Sequence, residues 1–218
     1  MYRFAIVVPA HNEESRIAHC LNYLLNQFPD TEIIVSEDGS TDDTVEVAKK
    51  FPVTVLHSKE RLGKIAGIKR GISVVSEPYI VIADVDTLVS PSTYVMAVGL
   101  LDAGFDLVAG KRVFRTESFT RRFLGKAFHE LVYLMFGLEW DTQCGFKAIR
   151  TPLAQKIYRN IKNGGFTYDV SLFLEAEHLK AKIVELPIMA IHYGDSKVTK
   201  RDITTMLRDL LRIWWARR

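Results

Sequence analysis

Short apolar runs alternate with helix-patterned segments through the first half of the chain. The run 3–9 (Arg-Phe-Ala-Ile-Val-Val-Pro) is unbroken and β-rich, which predicts a strand buried on both faces. Asn12 then stands where it can cap a helix from about Glu13, and Ile17, Leu21, Leu24 and Leu25 recur at helical spacing. Residues 31–36 predict a second strand that ends in Glu37-Asp38-Gly39-Ser40. Ser40 is placed to cap a helix to about Lys50, with Asp42 and Asp43 in the first turn where the helix dipole favours acids. Residues 53–57 predict a third strand, and Leu62-Gly63-Lys64 leads into a helix to about Ser76. A fourth strand, 79–83, runs straight into Asp84-Val85-Asp86. Ser90-Pro91 starts another helix, with proline at its first position. A fifth strand, 107–109, ends at Gly110-Lys111-Arg112.

Alternation of this kind predicts right-handed βαβ units in an α/β domain: a mostly parallel, doubly wound sheet with helices on both faces. Ligands of such sheets bind outside the carboxyl ends of the strands. Those ends carry His11, Asn12 and Glu13, then Asp38, then Asp84 and Asp86, then Lys111 and Arg112. The pattern after residue 118 is different. Residues 119–138 form one long helical pattern, basic at its start and apolar nearly all round from Leu131 to Leu138, so it is either deeply buried or interfacial. Residues 140–149 read as a loop or strand, and Thr151-Pro152 starts a helix that Gly164-Gly165 breaks. Residues 166–180 read as a helix and 182–191 as one or two short strands around Pro187. A final helix, 199–218, carries Met206, Leu210, Ile213 and Trp214 on one side. The expected division is one α/β domain over 1–198 and an amphipathic helix over 199–218.

Composition narrows the function. The chain has 218 residues and is 48% hydrophobic, ample for one core. A net charge of +3 is too mild for a nucleic-acid partner across the whole surface. Two cysteines make no disulfide framework, and a reducing compartment is the expectation. No secretory leader and no apolar span of about 20 residues is visible. The loop after the first strand, Pro9-Ala10-His11-Asn12-Glu13, lacks the glycine fingerprint of dinucleotide enzymes, and Gly63-Lys64 lacks the spacing of a P-loop. Oxidoreductases, GTPases and P-loop kinases are therefore disfavoured, and a nucleotidylyltransferase lacks its glycine-rich basic loop.

Asp84 and Asp86 lie two residues apart and in extended backbone point to one side. Adjacent carboxylates favour a hard cation, and Mg²⁺ takes one or two protein carboxylates plus substrate phosphates. The alternative is a plain turn. Acidic and basic strand ends around one crevice favour a site for Mg²⁺ or Mn²⁺ that holds a diphosphate. Arg112, Arg115, Arg121 and Arg122 suit bidentate phosphate contacts, or form a solvated basic face. They lead directly into the apolar 131–138 segment, which suits an amphiphile with an anionic head. The histidines, His57 among them, show no metal spacing, and Cys144 lacks an evident base.

Val8-Pro-Ala-His-Asn-Glu-Glu14, Glu37-Asp-Gly-Ser-Thr-Asp42, Gly63-Lys64 and Asp84-Val-Asp86 resemble the successive motifs of family two glycosyltransferases with the GT-A fold. Asp141-Thr-Gln-Cys-Gly-Phe-Lys147, Phe166-Thr-Tyr-Asp169 and Ser196-Lys-Val198 resemble the polyprenyl-phosphate sugar transferases, closest to the dolichyl-phosphate glucosyltransferase branch. Glu37 departs from the family's usual aspartate, and the C-terminal membrane helices of some members have no counterpart here. The resemblance implies transfer of a hexose from UDP-glucose or GDP-mannose to a dolichyl or polyprenyl phosphate, with inversion. It implies base contact by Asp38 beside the loop of Pro9, Ala10, Asn12 and Glu13, and a donor-phosphate role for Lys64. Asp84 and Asp86 would hold the metal, Asp86 most directly. Arg112 with Arg121 or Arg122 would hold the acceptor phosphate, and Asp141 and Asp169 would face sugar or acceptor. A member of this kind would reach its lipid peripherally, on the cytoplasmic face of a membrane. The nearer rival is a soluble family member acting on a polysaccharide, glycan or protein hydroxyl. The last helix, with Trp214, Trp215, Arg217 and Arg218, fits an interfacial anchor or a helix packed on the domain or on a second subunit.

Overall fold

The computed structural model describes residues 3–113, 119–142, 144–161, 167–192 and 200–216, as backbone only at 119–124, 190–192 and 200–203. Nine strands and eight helices follow one another along the described chain. The first half contains β1 (Phe4–Ala10), α1 (Glu14–Gln27), β2 (Glu32–Glu37), α2 (Thr44–Ala48), β3 (Thr54–Leu56), α3 (Lys64–Val74), β4 (Tyr79–Ile82), β5 (Thr87–Val89), α4 (Pro91–Asp102) and β6 (Leu107–Arg112). The second half contains α5 (Phe119–Phe136), β7 (Lys147–Arg150), α6 (Thr151–Asn160), α7 (Tyr168–His178), β8 (Ile183–Ile188), β9 (Ala190–His192) and α8 (Lys200–Ala216).

Seven strands form one sheet in the order β3-β2-β1-β4-β7-β6-β8. All neighbours pair in parallel except β7, which runs antiparallel between β4 and β6. The expected doubly wound, mostly parallel sheet is present, and the segment left open as loop or strand supplies the reversed strand. β5 and β9 form a separate antiparallel pair.

The sheet separates two apolar layers. Phe4, Ile6 and Val8 of β1 face α1, α2 and α4, where Ile17, Leu21, Leu24, Tyr94 and Leu101 are buried. Ala5 and Val7 face the other way, toward Ile68 and Ile72 of α3, Ile157 of α6 and Phe173 of α7. The strand's strict alternation thus feeds both layers, which is why its sequence is apolar throughout.

Two local expectations change. Asn12 does not cap α1. It adopts a left-handed φ of 53°, and its carboxamide oxygen accepts the Thr41 N–H at 2.9 Å. Ser40 does not cap α2 either. Its hydroxyl accepts the Asn12 N–H at 2.9 Å, and its own N–H is bound by the Glu37 carboxylate. The two side chains thus tie the loops after β1 and β2 together, and α2 is short because its expected first turn is spent on that tie.

The terminal helix α8 buries Leu210 and Ile213 in the second layer, and it lies against α5. Leu207, Leu211 and Trp215, at successive i+4 positions, remain 43%, 52% and 69% exposed. In α5, Val132 is buried while Tyr133 and Leu134 are exposed, so the all-round apolar pattern is only partly covered. Among the described residues no helix is long and apolar enough to cross a membrane.

Phe173 is fully buried and stacks on Trp140 at 6.1 Å between ring centroids, fastening α7 beneath the sheet. Phe173→Ala is expected to cost about 3–5 kcal/mol, seen as a lower denaturant midpoint at unchanged slope.

Candidate active site

The parallel strands bring the ends of β1, β2, β3 and β4 to one edge of the sheet. β4 ends at Ile82, and the chain then turns rather than staying extended, with the Thr87 N–H donating to the Asp84 carbonyl at 3.3 Å. Val85 is buried in the first layer, and Asp84 and Asp86 are partly exposed. The Thr87 hydroxyl donates to Asp86 Oδ1 at 3.1 Å.

Asp84 is fixed from two directions. Lys64, the first residue of α3, places its ammonium 2.6 Å from Asp84 Oδ1. A cation at a helix N-terminus is unfavourable by itself, so this lysine is held by its carboxylate. Desolvation opposes its charge, but Asp84, then Asp169 and Asp86, outweigh that and push the lysine pKa up. From the other side, the Asp84 carboxylate lies over Gly145, where any Cβ would overlap it. Gly145 belongs to the segment 141–147, so that segment forms a wall of the site.

Behind this wall Lys147 is 1% exposed. Its ammonium lies 2.7 Å from Asp169 Oδ1 and donates to the Cys144 carbonyl at 2.5 Å. Burial raises the Asp169 pKa above the usual carboxylate value, against the opposing pull of Lys147 and Lys64. The Tyr168 ring has both lysines nearby, with Lys64 Nζ 5.8 Å and Lys147 Nζ 6.0 Å from its centroid. Asp84, Asp86, Lys64 and Asp169 are therefore one electrostatic group, with Lys147 and Tyr168 as its floor.

At the end of β6, Arg112 sets its guanidinium against Asp141, with Nε and Nη2 each 3.4 Å from a carboxylate oxygen. Both side chains are about nine-tenths buried. They line a cavity of about 180 Å³ together with Lys111, Gly125, His129, Glu139 and Thr142. Lys111 pairs with Glu185 at 2.6 Å, and Glu185 also accepts the Asp141 N–H. Arg121 and Arg122 are in the first turns of α5, and their side chains lie outside the described residues, as do Arg115, Gln143 and the 196–198 segment.

At the β1 and β2 ends, Asp38 is buried, and its two oxygens accept the Leu62 and Gly63 N–H groups at 3.0 and 2.7 Å. Its first task is to shape the loop that leads into α3. Pro9 and Ala10 end β1, the Glu13 N–H donates to the Thr44 hydroxyl at 2.7 Å, and Glu13 pairs with Arg16 at 2.7 Å. Glu37, fully buried, binds His57 Nδ1 at 2.6 Å.

The donor set fits a divalent ion that a substrate completes. Asp84 and Asp86 offer hard carboxylate oxygens, and the absent Cβ at Gly145 leaves Asp84 its place. Among the described residues no cluster of three or more His, Cys, Asp or Glu could hold a metal unaided. Lys64 stands on Asp84 as the local cation.

Comparison with known proteins identifies the chemistry. The profile of Glycosyl transferase family 2 matches residues 5–171. The chain belongs to that family. It is a glycosyltransferase with the GT-A fold, as the motifs led us to expect. It is 31% identical to a dolichyl-phosphate beta-glucosyltransferase of Drosophila melanogaster, over 96% of this chain and 74% of that protein. It is 29% identical to the Mus musculus protein of the same name, over 90% and 69%. Among solved structures it resembles glucosyl-3-phosphoglycerate synthase from Mycobacterium tuberculosis in complex with Mn²⁺, UDP and glucosyl-3-phosphoglycerate. The TM-score is 0.75 at 21% identity, covering 96% and 77% of the two chains, a likeness of fold.

Gly145, Lys147 and Tyr168 lay inside motifs quoted from the sequence, and Glu37 and His57 were named there, but motif reasoning gave none of them a role or a partner. A lysine inside the apolar run Phe146-Lys-Ala-Ile was the one available signal, because a charge in a buried strand needs a partner.

Glu37 gives this edge a pH dependence. Burial opposes its ionisation, but hydrogen bonds from Ser40 and His57 prevail and hold its carboxyl below the usual range. A lowered folded-state pKa stabilises the fold above the unfolded value of about 4.3 and loses that contribution as pH falls through the folded one. Thermal melts should therefore find Glu37→Gln less stable than wild type at neutral pH, with the gap closing in acid.

Proposed function

We propose that the chain transfers a hexose, with inversion, from a nucleoside diphosphate sugar to a polyprenyl phosphate, using Mg²⁺ or Mn²⁺. The observation that carries the reading is the group Asp84, Asp86, Lys64 and Asp169 gathered at the sheet edge, two metal-competent carboxylates with a lysine at the head of a helix. The names of the relatives support the lipid acceptor.

Asp84 and Asp86 would hold the metal, which when bound offsets charge on the departing diphosphate. Lys64 and the N-terminus of α3 meet the same phosphates. The loop of Pro9, Ala10, Asn12 and Glu13, with Asp38, walls the nucleoside. Arg112, held by Asp141, receives the acceptor phosphate together with Arg121 or Arg122. That placement aligns its oxygen for attack on the anomeric carbon. A phosphate monoester has its second pKa at about 6, so the nucleophile is largely deprotonated at neutral pH and needs no strong base. Asp169, locked to Lys147, orients sugar or acceptor.

Purified protein should transfer label from UDP-glucose or GDP-mannose to a short polyprenyl phosphate only with Mg²⁺ or Mn²⁺. Asp86→Asn should lower turnover by roughly 10³-fold, the scale of losing one main charge-stabilising group, and Asp169→Asn by less. Full metal-dependent activity in Asp86→Asn would sink the assignment.

The outer face of α8 is the surface that brings the enzyme to its lipid. Leu207, Leu211 and Trp215 are exposed there beside Arg208 and Arg212, an apolar stripe edged with cations. Arg212 also reaches Asp209 at 3.6 Å. The catalytic domain would then sit peripherally on the cytoplasmic side of a membrane. In flotation assays the full chain should rise with anionic vesicles, and Leu207→Ser/Leu211→Ser/Trp215→Ser should stay at the bottom. Equal flotation of both, or a dimer that the triple variant dissociates, would give this face another partner.

A further inference from the structure

His57, at the end of the edge strand β3, has no part in the transfer reading above. Its surroundings give it a defined chemistry. Glu37, the last residue of β2, is fully buried, with one oxygen bound to the Ser40 N–H and the other 2.6 Å from His57 Nδ1. An ionised carboxylate only accepts, so Nδ1 is the donor and, in the neutral ring, Nε2 is an acceptor. The imidazole side chain is 47% exposed, so part of the ring is open to solvent just beyond the carboxyl end of β3. Aspartate, which the family resemblance leads one to expect at position 37, is one methylene shorter and reaches less far toward His57.

The position suits a nucleoside base. The phosphates of the proposed donor belong at Asp84, after β4. In the direction of β7 and β6 the edge is filled by Lys147 with Asp169 and by Arg112 with Asp141. In the other direction the order is β4, β1, β2, β3. Three steps of about 4.8 Å put the β3 end roughly 14 Å along the edge, a span that the ribose and base of an extended nucleoside diphosphate can cover. Asp38, the acceptor first expected to meet the base, already binds two backbone N–H groups and is 5% exposed at its side chain.

We propose that His57, positioned by Glu37, reads the donor's base, its Nε2 accepting the ring N–H of a lactam base, uracil or guanine. Adenine and cytosine present a ring lone pair at the matching atom, so two acceptors would face each other. The site then selects UDP- or GDP-linked sugars over ADP- or CDP-linked ones. This assignment rests on the nucleotide-sugar reading above.

Calorimetric titration with Mn²⁺ present tests it, using UDP, GDP, ADP, CDP and inorganic pyrophosphate as probes. Wild type should bind UDP or GDP at least tenfold more tightly than ADP and CDP. His57→Ala should lose roughly tenfold for the preferred nucleotide and should bind pyrophosphate as wild type does, since one hydrogen bond to the base is removed and the phosphate site is untouched. His57→Gln, which keeps a donor toward Glu37 and an acceptor, should recover part of the loss. Unchanged nucleotide affinity and base preference in His57→Ala would overturn the proposal, and so would a parallel loss of pyrophosphate binding, which makes His57 a structural residue. If wild type binds no nucleoside diphosphate at all, the nucleotide-sugar reading itself falls. If it binds UDP and His57→Ala binds UDP equally well, only the role of His57 falls.

Discussion

The Asp84 carboxylate lies where a side chain at position 145 would otherwise be, and much of the site depends on that close approach. It joins two parts of the chain that the sequence keeps 61 positions apart. Asp84 comes from the end of a buried strand in the regular βαβ half. Gly145 comes from the segment that feeds the one reversed strand of the main sheet. Because β7 pairs with β4, the 141–147 segment is delivered beside the end of β4 and closes the crevice on that side. Only glycine permits this, because any Cβ would displace the carboxylate the site is built around.

Charge balance follows from the same arrangement. Three carboxylates, Asp84, Asp86 and Asp169, are brought together in partly desolvated surroundings where their mutual repulsion is costly. Two lysines offset it from opposite sides. Lys64 stands at the open side on Asp84, where phosphates and a metal would compete for the same groups. Lys147 stands at the closed side on Asp169 and is sealed from solvent. The exposed cation is the one available to a ligand. The buried one holds a carboxylate in place, because breaking a buried pair leaves an uncompensated charge. Arg112 and Asp141 repeat the pattern one strand further on, so the sheet edge changes from acidic to basic along the direction in which donor and acceptor would meet.

The second half of the chain does more than append a helix. α5 and α8 complete the second apolar layer with Val132, Leu210 and Ile213, and each keeps further apolar side chains outside. In α8 helical geometry separates two apolar stripes, since residues 210 and 213 face inward while 207, 211 and 215 follow a second stripe that turns away from them. The helix packs on the domain by one stripe, one of the alternatives that its sequence left open, and keeps a second apolar stripe exposed.

How much of this was legible follows from the range over which each feature is set. Apolar runs at Phe4–Val8, Ile33–Val35 and Tyr79–Ala83, separated by helical spacing, specify strands and helices locally, and with the handedness of βαβ units they predict the sheet and the edge where ligands bind. The acids Asp38, Asp84 and Asp86 and the basic Arg112 were legible because each ends a strand. Partners were not. Glu37 with His57, Lys147 with Asp169 and Asp84 over Gly145 are contacts across the sheet, fixed by strand order and by the reversal of β7, which no local period encodes. Caps were misread for the same reason: Asn12 and Ser40 have the composition of helix caps, yet their best partners lie on each other's loop. The sequence alone determined the fold class, the strand ends at which charged residues gather and the kind of chemistry, because those depend on residue type and spacing. The tertiary structure decided which charge neutralises which and which side chain stays open to a ligand, because those depend on distances between segments remote along the chain.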